Sequence, residues 1–123
     1  MQVKNISKRL GKVASFVPQG AKILDVGSDH AYLPIYLMQQ RRIVSAIAGE
    51  VVDGPYQSAV ANVSDNELSD KISVRLANGL AAFDEKDQID VIIIAGMGGR
   101  LIADILGLMN CLNWKRKKLQ LIR

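Results

Sequence analysis

Lys22-Ile23-Leu24-Asp25-Val26-Gly27-Ser28-Asp29-His30-Ala31-Tyr32-Leu33 is the stretch that decides the fold. A short apolar run ends in an acid, a glycine permits a tight turn, and a helix-forming run follows. That strand-turn-helix layout is how α/β proteins hold a nucleotide-like cofactor at the carboxyl end of their first strand. The plain alternative is an ordinary strand-to-helix corner with its usual glycine and acid.

Working outward, the alternation repeats. Ile6, Leu10, Val13 and Val17 recur at helical spacing and predict an amphipathic first helix closed by Pro18-Gln19-Gly20. Strand one is expected over 22–26. Helix two begins near Ala31, with Pro34 in its first turn and Arg41-Arg42 near its end, where cations suit the helix dipole. Strand two runs from Ser45 to Glu50. Asp53-Gly54-Pro55 opens helix three, with Tyr56, Ala59, Val60 and Val63 expected to face inward. Strand three spans Ile72 to Leu76, and a short helix is expected from Leu80 to Phe83. Strand four, Asp90 to Ala95, is apolar on both faces, as suits a central parallel strand. Gly96-Met97-Gly98-Gly99 then turns into a last helix near Arg100. Four strand-helix alternations predict one α/β domain with a parallel sheet and right-handed crossovers.

Each strand ends in a residue suited to holding a cofactor. Asp25, two residues before Gly27, fits S-adenosylmethionine better than NAD, because a carboxylate can face the cationic amino group of the methionine portion. The dinucleotide fingerprint Gly-x-Gly-x-x-Gly is absent. Glu50 stands where a carboxylate grips ribose hydroxyls, although alone it reads equally as a solvent-facing acid. Asn78 can meet an adenine ring, and Asn78-Gly79 also reads as a plain turn. Gly96 and its following glycines let backbone approach a ligand closely.

The chain has 123 residues, is 49% hydrophobic and has a net charge of +4. It is long enough for one domain with a real core. Cys111 is the single cysteine, which leaves no disulfide framework and no cysteine-based metal site within one chain. No signal peptide or membrane span is expected, and the protein reads as cytoplasmic. The charge is unevenly spread. Residues 1–110 carry 11 basic and 12 acidic side chains, whereas 111–123 carry five basic ones and no acid. A near-neutral body makes no strong case for nucleic acid, and the basicity belongs to the tail.

Gly27-Ser28-Asp29-His30-Ala31-Tyr32-Leu33-Pro34, Ala48-Gly49-Glu50-Val51-Val52-Asp53-Gly54-Pro55 and Ala95-Gly96-Met97-Gly98-Gly99, taken in order, resemble the bacterial tRNA adenine-N1 methyltransferases of the TrmK type, which modify adenine 22. The likeness runs from about Ile6 to Ile105. It implies a Rossmann-like class I methyltransferase domain with strand order 3-2-1-4, followed in the family by a helical domain. It implies S-adenosyl-L-methionine as cofactor, held by Asp25, Gly27, Ser28, Glu50, Val51, Asn78, Gly79 and Gly96. It puts the target base near Asp29, His30, Met97, Gly98 and Gly99, with tRNA as partner and no metal or membrane. His30 reads as readily as a structural hydrogen-bonder.

Past Leu106 the resemblance stops. Four strands fall short of the seven of a complete domain, so 1–106 is expected to be the cofactor-binding part and 107–123 a basic tail. The abrupt change in composition there predicts a truncated or frameshifted product, and the ordinary alternative is a last helix that runs on into a basic, amphipathic end with Trp114 and Leu119 covering exposed core. Strand four would then be an uncovered apolar edge, inviting self-association. The rival function is a non-catalytic nucleotide- or RNA-binding module that uses the basic tail, and an NAD-linked enzyme is a weaker third.

Overall fold

A computed structural model describes residues 8–28, 30–76, 88–94 and 120–122. In chain order the elements are α1 (Lys8–Ser15), β1 (Ala21–Val26), α2 (Tyr32–Gln39), β2 (Ile43–Glu50), α3 (Asp53–Asp65), β3 (Ile72–Leu76), β4 (Val91–Ile93) and β5 (Gln120–Ile122). They form one sheet of order β3-β2-β1-β4-β5. Every neighbouring pair is parallel. The expected order 3-2-1-4 is present, with one strand more.

That fifth strand corrects the expectation of an uncovered strand four. Val91, Ile92 and Ile93 pair on one side with Ile23, Leu24 and Asp25, and on the other with Gln120, Leu121 and Ile122. Strand four is therefore an interior strand, which suits its full burial. The end of the basic segment is part of the sheet.

Alternation along the strands sorts side chains by face. Ala21, Ile23, Ala46, Ala48, Ile72, Val91 and Ile93 pack with Leu33, Ile35 and Leu37 of α2, Ala59 and Val63 of α3, and Val13 and Ala14 of α1 in one core. Leu24, Val26, Ile92 and Ile94 occupy the other face and are buried too.

α3 corrects a detail. Ala59 and Val63, one helical turn apart, face the sheet. Val60 lies about 100° further round the helix and is 39% exposed. A second correction concerns Arg42, whose charge serves α1 rather than α2. Its Nε donates to the carbonyl of Val17 at 2.8 Å and its Nη2 to that of Ser15 at 3.3 Å. These groups lie at and just past the end of α1, where carbonyls have no helical partner. Gly20, at φ 80°, turns the chain into β1 and donates its N–H to the carbonyl of Arg42. Among the described residues no helix is long and apolar enough to cross a membrane.

Candidate functional site

The carboxyl ends of β1, β2, β3 and β4 lie side by side. Asp25 is level with Ala48 on one side and Ile93 on the other, and Glu50 is level with Leu76. Ala48 and Glu50 are two residues apart, so Asp25 and Glu50 emerge on the same face of adjacent strands. Both are buried. Two carboxylates thus meet where the helical core gives way to the strand ends.

Burial dominates the chemistry of Asp25. Loss of water pushes its carboxyl up from 3.8 to about 7, Ser28 pulls it back, and the nearby charge of Glu50 adds to the rise. Ser28 is close enough to favour the ionised carboxylate. Its buried Oγ nevertheless completes no hydrogen bond of good geometry among the described residues.

Gly27 makes the turn between β1 and α2 at φ 69°. The N–H groups of Gly27 and Ser28 both donate to the carbonyl of Gly49, at 3.0 and 3.1 Å. This clamp ties the glycine turn to the end of β2, one residue before Glu50. Beyond Glu50 the chain turns outward, leaving Val51 and Val52 at 53% and 61% exposure on the rim.

His30 follows with φ 67° and Ala31 with φ 61°. The His30 ring is bonded through Nδ1 to the Ser58 hydroxyl of α3, and its carbonyl accepts from Asn62 Nδ2 at 2.9 Å. The ring also lies 5.4 Å from that of Tyr32. Ser58 and Asn62 were not among the expected site residues. Their one-turn spacing, continued by Asn66 just past the end of α3, was the available signal.

The structure thus brings together Asp25, Gly27, Ser28, Glu50 and Val51 and sets His30 beside them in sequence, facing α3. Asp29, Asn78, Gly79, Gly96, Met97, Gly98 and Gly99 lie outside the described residues.

The family model for TrmK, tRNA (adenine(22)-N(1))-methyltransferase, matches residues 23–120. The chain belongs to the TrmK family. The match continues past residue 106, where the motif-level likeness ends. A Bacillus subtilis (strain 168) tRNA (adenine(22)-N(1))-methyltransferase is 49% identical over 106 residues, covering 86% of this chain and 44% of that protein. Streptococcus pneumoniae Sp1610 in complex with S-adenosyl-L-methionine superposes with a TM-score of 0.87 at 65% identity, over 95% of this chain and 55% of that one. TrmK from M. capricolum, solved with S-adenosyl-homocysteine, gives a TM-score of 0.77 at 34% identity, over 93% of this chain and 49% of that one. The chain therefore spans about half the length of these TrmK relatives. The fold is the Rossmann-like one of S-adenosylmethionine-dependent methyltransferases.

Proposed function

We propose that this TrmK-family chain binds S-adenosyl-L-methionine and serves methyl transfer to N1 of an adenine in tRNA, adenine 22 by family. The observation that carries the reading is the buried pair Asp25 and Glu50 at the ends of adjacent parallel strands. Two carboxylates side by side at neighbouring strand ends favour a ligand that brings a positive charge and hydroxyl donors to them. A ligand with a cationic amino group and ribose hydroxyls fits both, and the buried Ser28 Oγ offers it a further polar contact. Two TrmK relatives are solved in complex with S-adenosyl-L-methionine and with its product S-adenosyl-homocysteine.

When bound, S-adenosylmethionine supplies an electrophilic methyl group that adenine N1 attacks in line, leaving a thioether and a cationic base. Adenine N1 has a free lone pair at neutral pH, so the chain needs no general base. Its residues hold and align. Asp25 in its ionised form faces the amino group, Glu50 grips the ribose, and Val51 with Gly27 and Ser28 completes the wall. Asn78, Gly79 and Gly96 extend this set toward the adenine. On the acceptor side, the family resemblance assigns Asp29 to accept from the exocyclic amine and oppose the charge developing on the ring, and assigns Met97, Gly98 and Gly99 to the same base. His30 follows Asp29 in sequence, and its bonds to α3 favour a positioning role. N1 lies on the pairing edge, so the base must be unpaired when it reaches the site.

The chain carries mainly the cofactor-binding lobe of this activity, with residues 1–106 supplying the site and 107–123 a basic extension that rejoins the sheet through β5. Its setting is the cytoplasm. Asp29→Ala is expected to leave S-adenosylhomocysteine affinity unchanged while cutting methyl transfer to unmodified tRNA wherever the chain, alone or with a partner, shows activity. If Asp29→Ala abolishes cofactor binding, the division between donor and acceptor residues is wrong.

A further inference from the structure

The turn between β1 and α2 is unusual in its backbone. Gly27, His30 and Ala31 all have positive φ, at 69°, 67° and 61°. Glycine adopts this conformation freely, but alanine and histidine do so only where their surroundings enforce it. Ala31 is fully buried and precedes the first residue of α2 without any side-chain cap for that helix. Enforcement must therefore come from elsewhere.

It comes from one stripe of α3. Ser58, Asn62 and Asn66 recur every four residues, which stacks them along one face. Ser58 holds the His30 ring, and Asn62 Nδ2 holds the His30 carbonyl at 2.9 Å. Asn66 Nδ2 donates to the carbonyl of Asn62 at 2.8 Å, and Gln39 Nε2, at the end of α2, donates to Asn66 Oδ1 at 3.0 Å. The ladder runs from the far end of α2, along α3, to the left-handed turn. Its terminal rung is a side chain gripping the peptide between the two strained residues.

We infer that Asn62, with Ser58 and the Asn66–Gln39 brace behind it, is the positioning element of the donor site. It locks the His30–Ala31 turn in its left-handed form and so fixes Ser28 and Gly27 against the end of β2. Asn62 acts through the loop backbone and touches neither Asp25 nor Glu50 in this role. The inference rests on the donor-site reading, but the brace itself is a property of the unliganded chain.

The test uses the whole 123-residue chain. Asn62→Asp keeps the shape of the side chain but replaces the Nδ2 donor with an oxygen that carries negative charge against the His30 carbonyl. Removing this one rung is expected to weaken S-adenosylhomocysteine binding about tenfold by calorimetry, well below the melting temperature. Adding Ala31→Gly, which suits the left-handed backbone, is expected to restore most of that loss. A merely structural role would lower the melting temperature without this pattern of loss and rescue. Gln57→Ala, on an exposed position of the same helix, is the control and should leave affinity within about twofold. In parallel, amide hydrogen exchange at Ala31 and Tyr32 without ligand should speed up about tenfold or more in Asn62→Asp. Unchanged affinity in a folded Asn62→Asp chain, or a loss that Ala31→Gly does not rescue, overturns the inference. If the unmutated chain fails to bind, the donor-site reading falls, and unchanged exchange at Ala31 and Tyr32 then overturns the brace separately.

Discussion

At the scale of single residues, Asp25 carries an opposition between stability and binding. Its carboxyl is pushed up to about 7 in the folded chain from an ordinary 3.8. The folded state thus holds a proton that the unfolded state has already lost between those two values. Stability from this group is fully present below about pH 4, falls as pH rises toward 7, and is flat above that, a loss on the order of 4 kcal/mol. Asp25→Asn, which mimics the protonated form, should therefore melt at a higher temperature than the unmutated chain at pH 8 and at nearly the same temperature at pH 4.5. Thermal melts at the two pH values check this, and equal stability at pH 8 would show that burial does not penalise the charge. The same substitution should weaken S-adenosylmethionine binding, because the cationic amino group then faces a neutral amide. Glu50→Ala should lower affinity by about 1–3 kcal/mol through loss of the ribose contacts. Calorimetry at pH 7.5 reads both.

Among the secondary elements, the loop-to-helix joints are where small changes should matter most. Arg42 caps the carbonyls of Ser15 and Val17, so Arg42→Ala should destabilise the chain by about 1–2 kcal/mol. Chemical melts measure that, and cofactor affinity at low temperature should not change, since Arg42 lies at the opposite ends of β1 and β2 from the site. Sequence periodicity made α2, α3 and the first four strands legible, because a parallel sheet buried on both faces demands apolar runs broken by glycine and acid. Asp25 and Glu50 were legible for the same reason, as acids that close buried strands. Other features depended on the third dimension. Val60 looked inward by composition alone, but the helix rotates it off the buried stripe. Arg42 serves a helix that ended 27 residues earlier than itself. Ser58 and Asn62 gain meaning only when α3 meets a loop 28 and 32 residues away in sequence. β5 was illegible because a three-residue strand in a basic segment carries no periodic signal of its own.

On the scale of the whole molecule, β5 changes what the chain is expected to do in solution. Val91, Ile92 and Ile93 are fully buried and paired on both sides. Removing residues 119–123 would open that apolar edge, so the shortened chain should self-associate and melt earlier, as read by light scattering and calorimetric scans. A monomeric shortened chain would mean that β5 contributes little. The chain matches about half the length of its relatives and yet contains the strand ends that bear Asp25 and Glu50. The central claim is that this half holds the methyl donor. Isothermal titration of the 123-residue chain with S-adenosylhomocysteine tests it most directly. The account predicts saturable one-to-one binding that Glu50→Ala weakens, whereas no binding heat from a sample shown to be folded would contradict it.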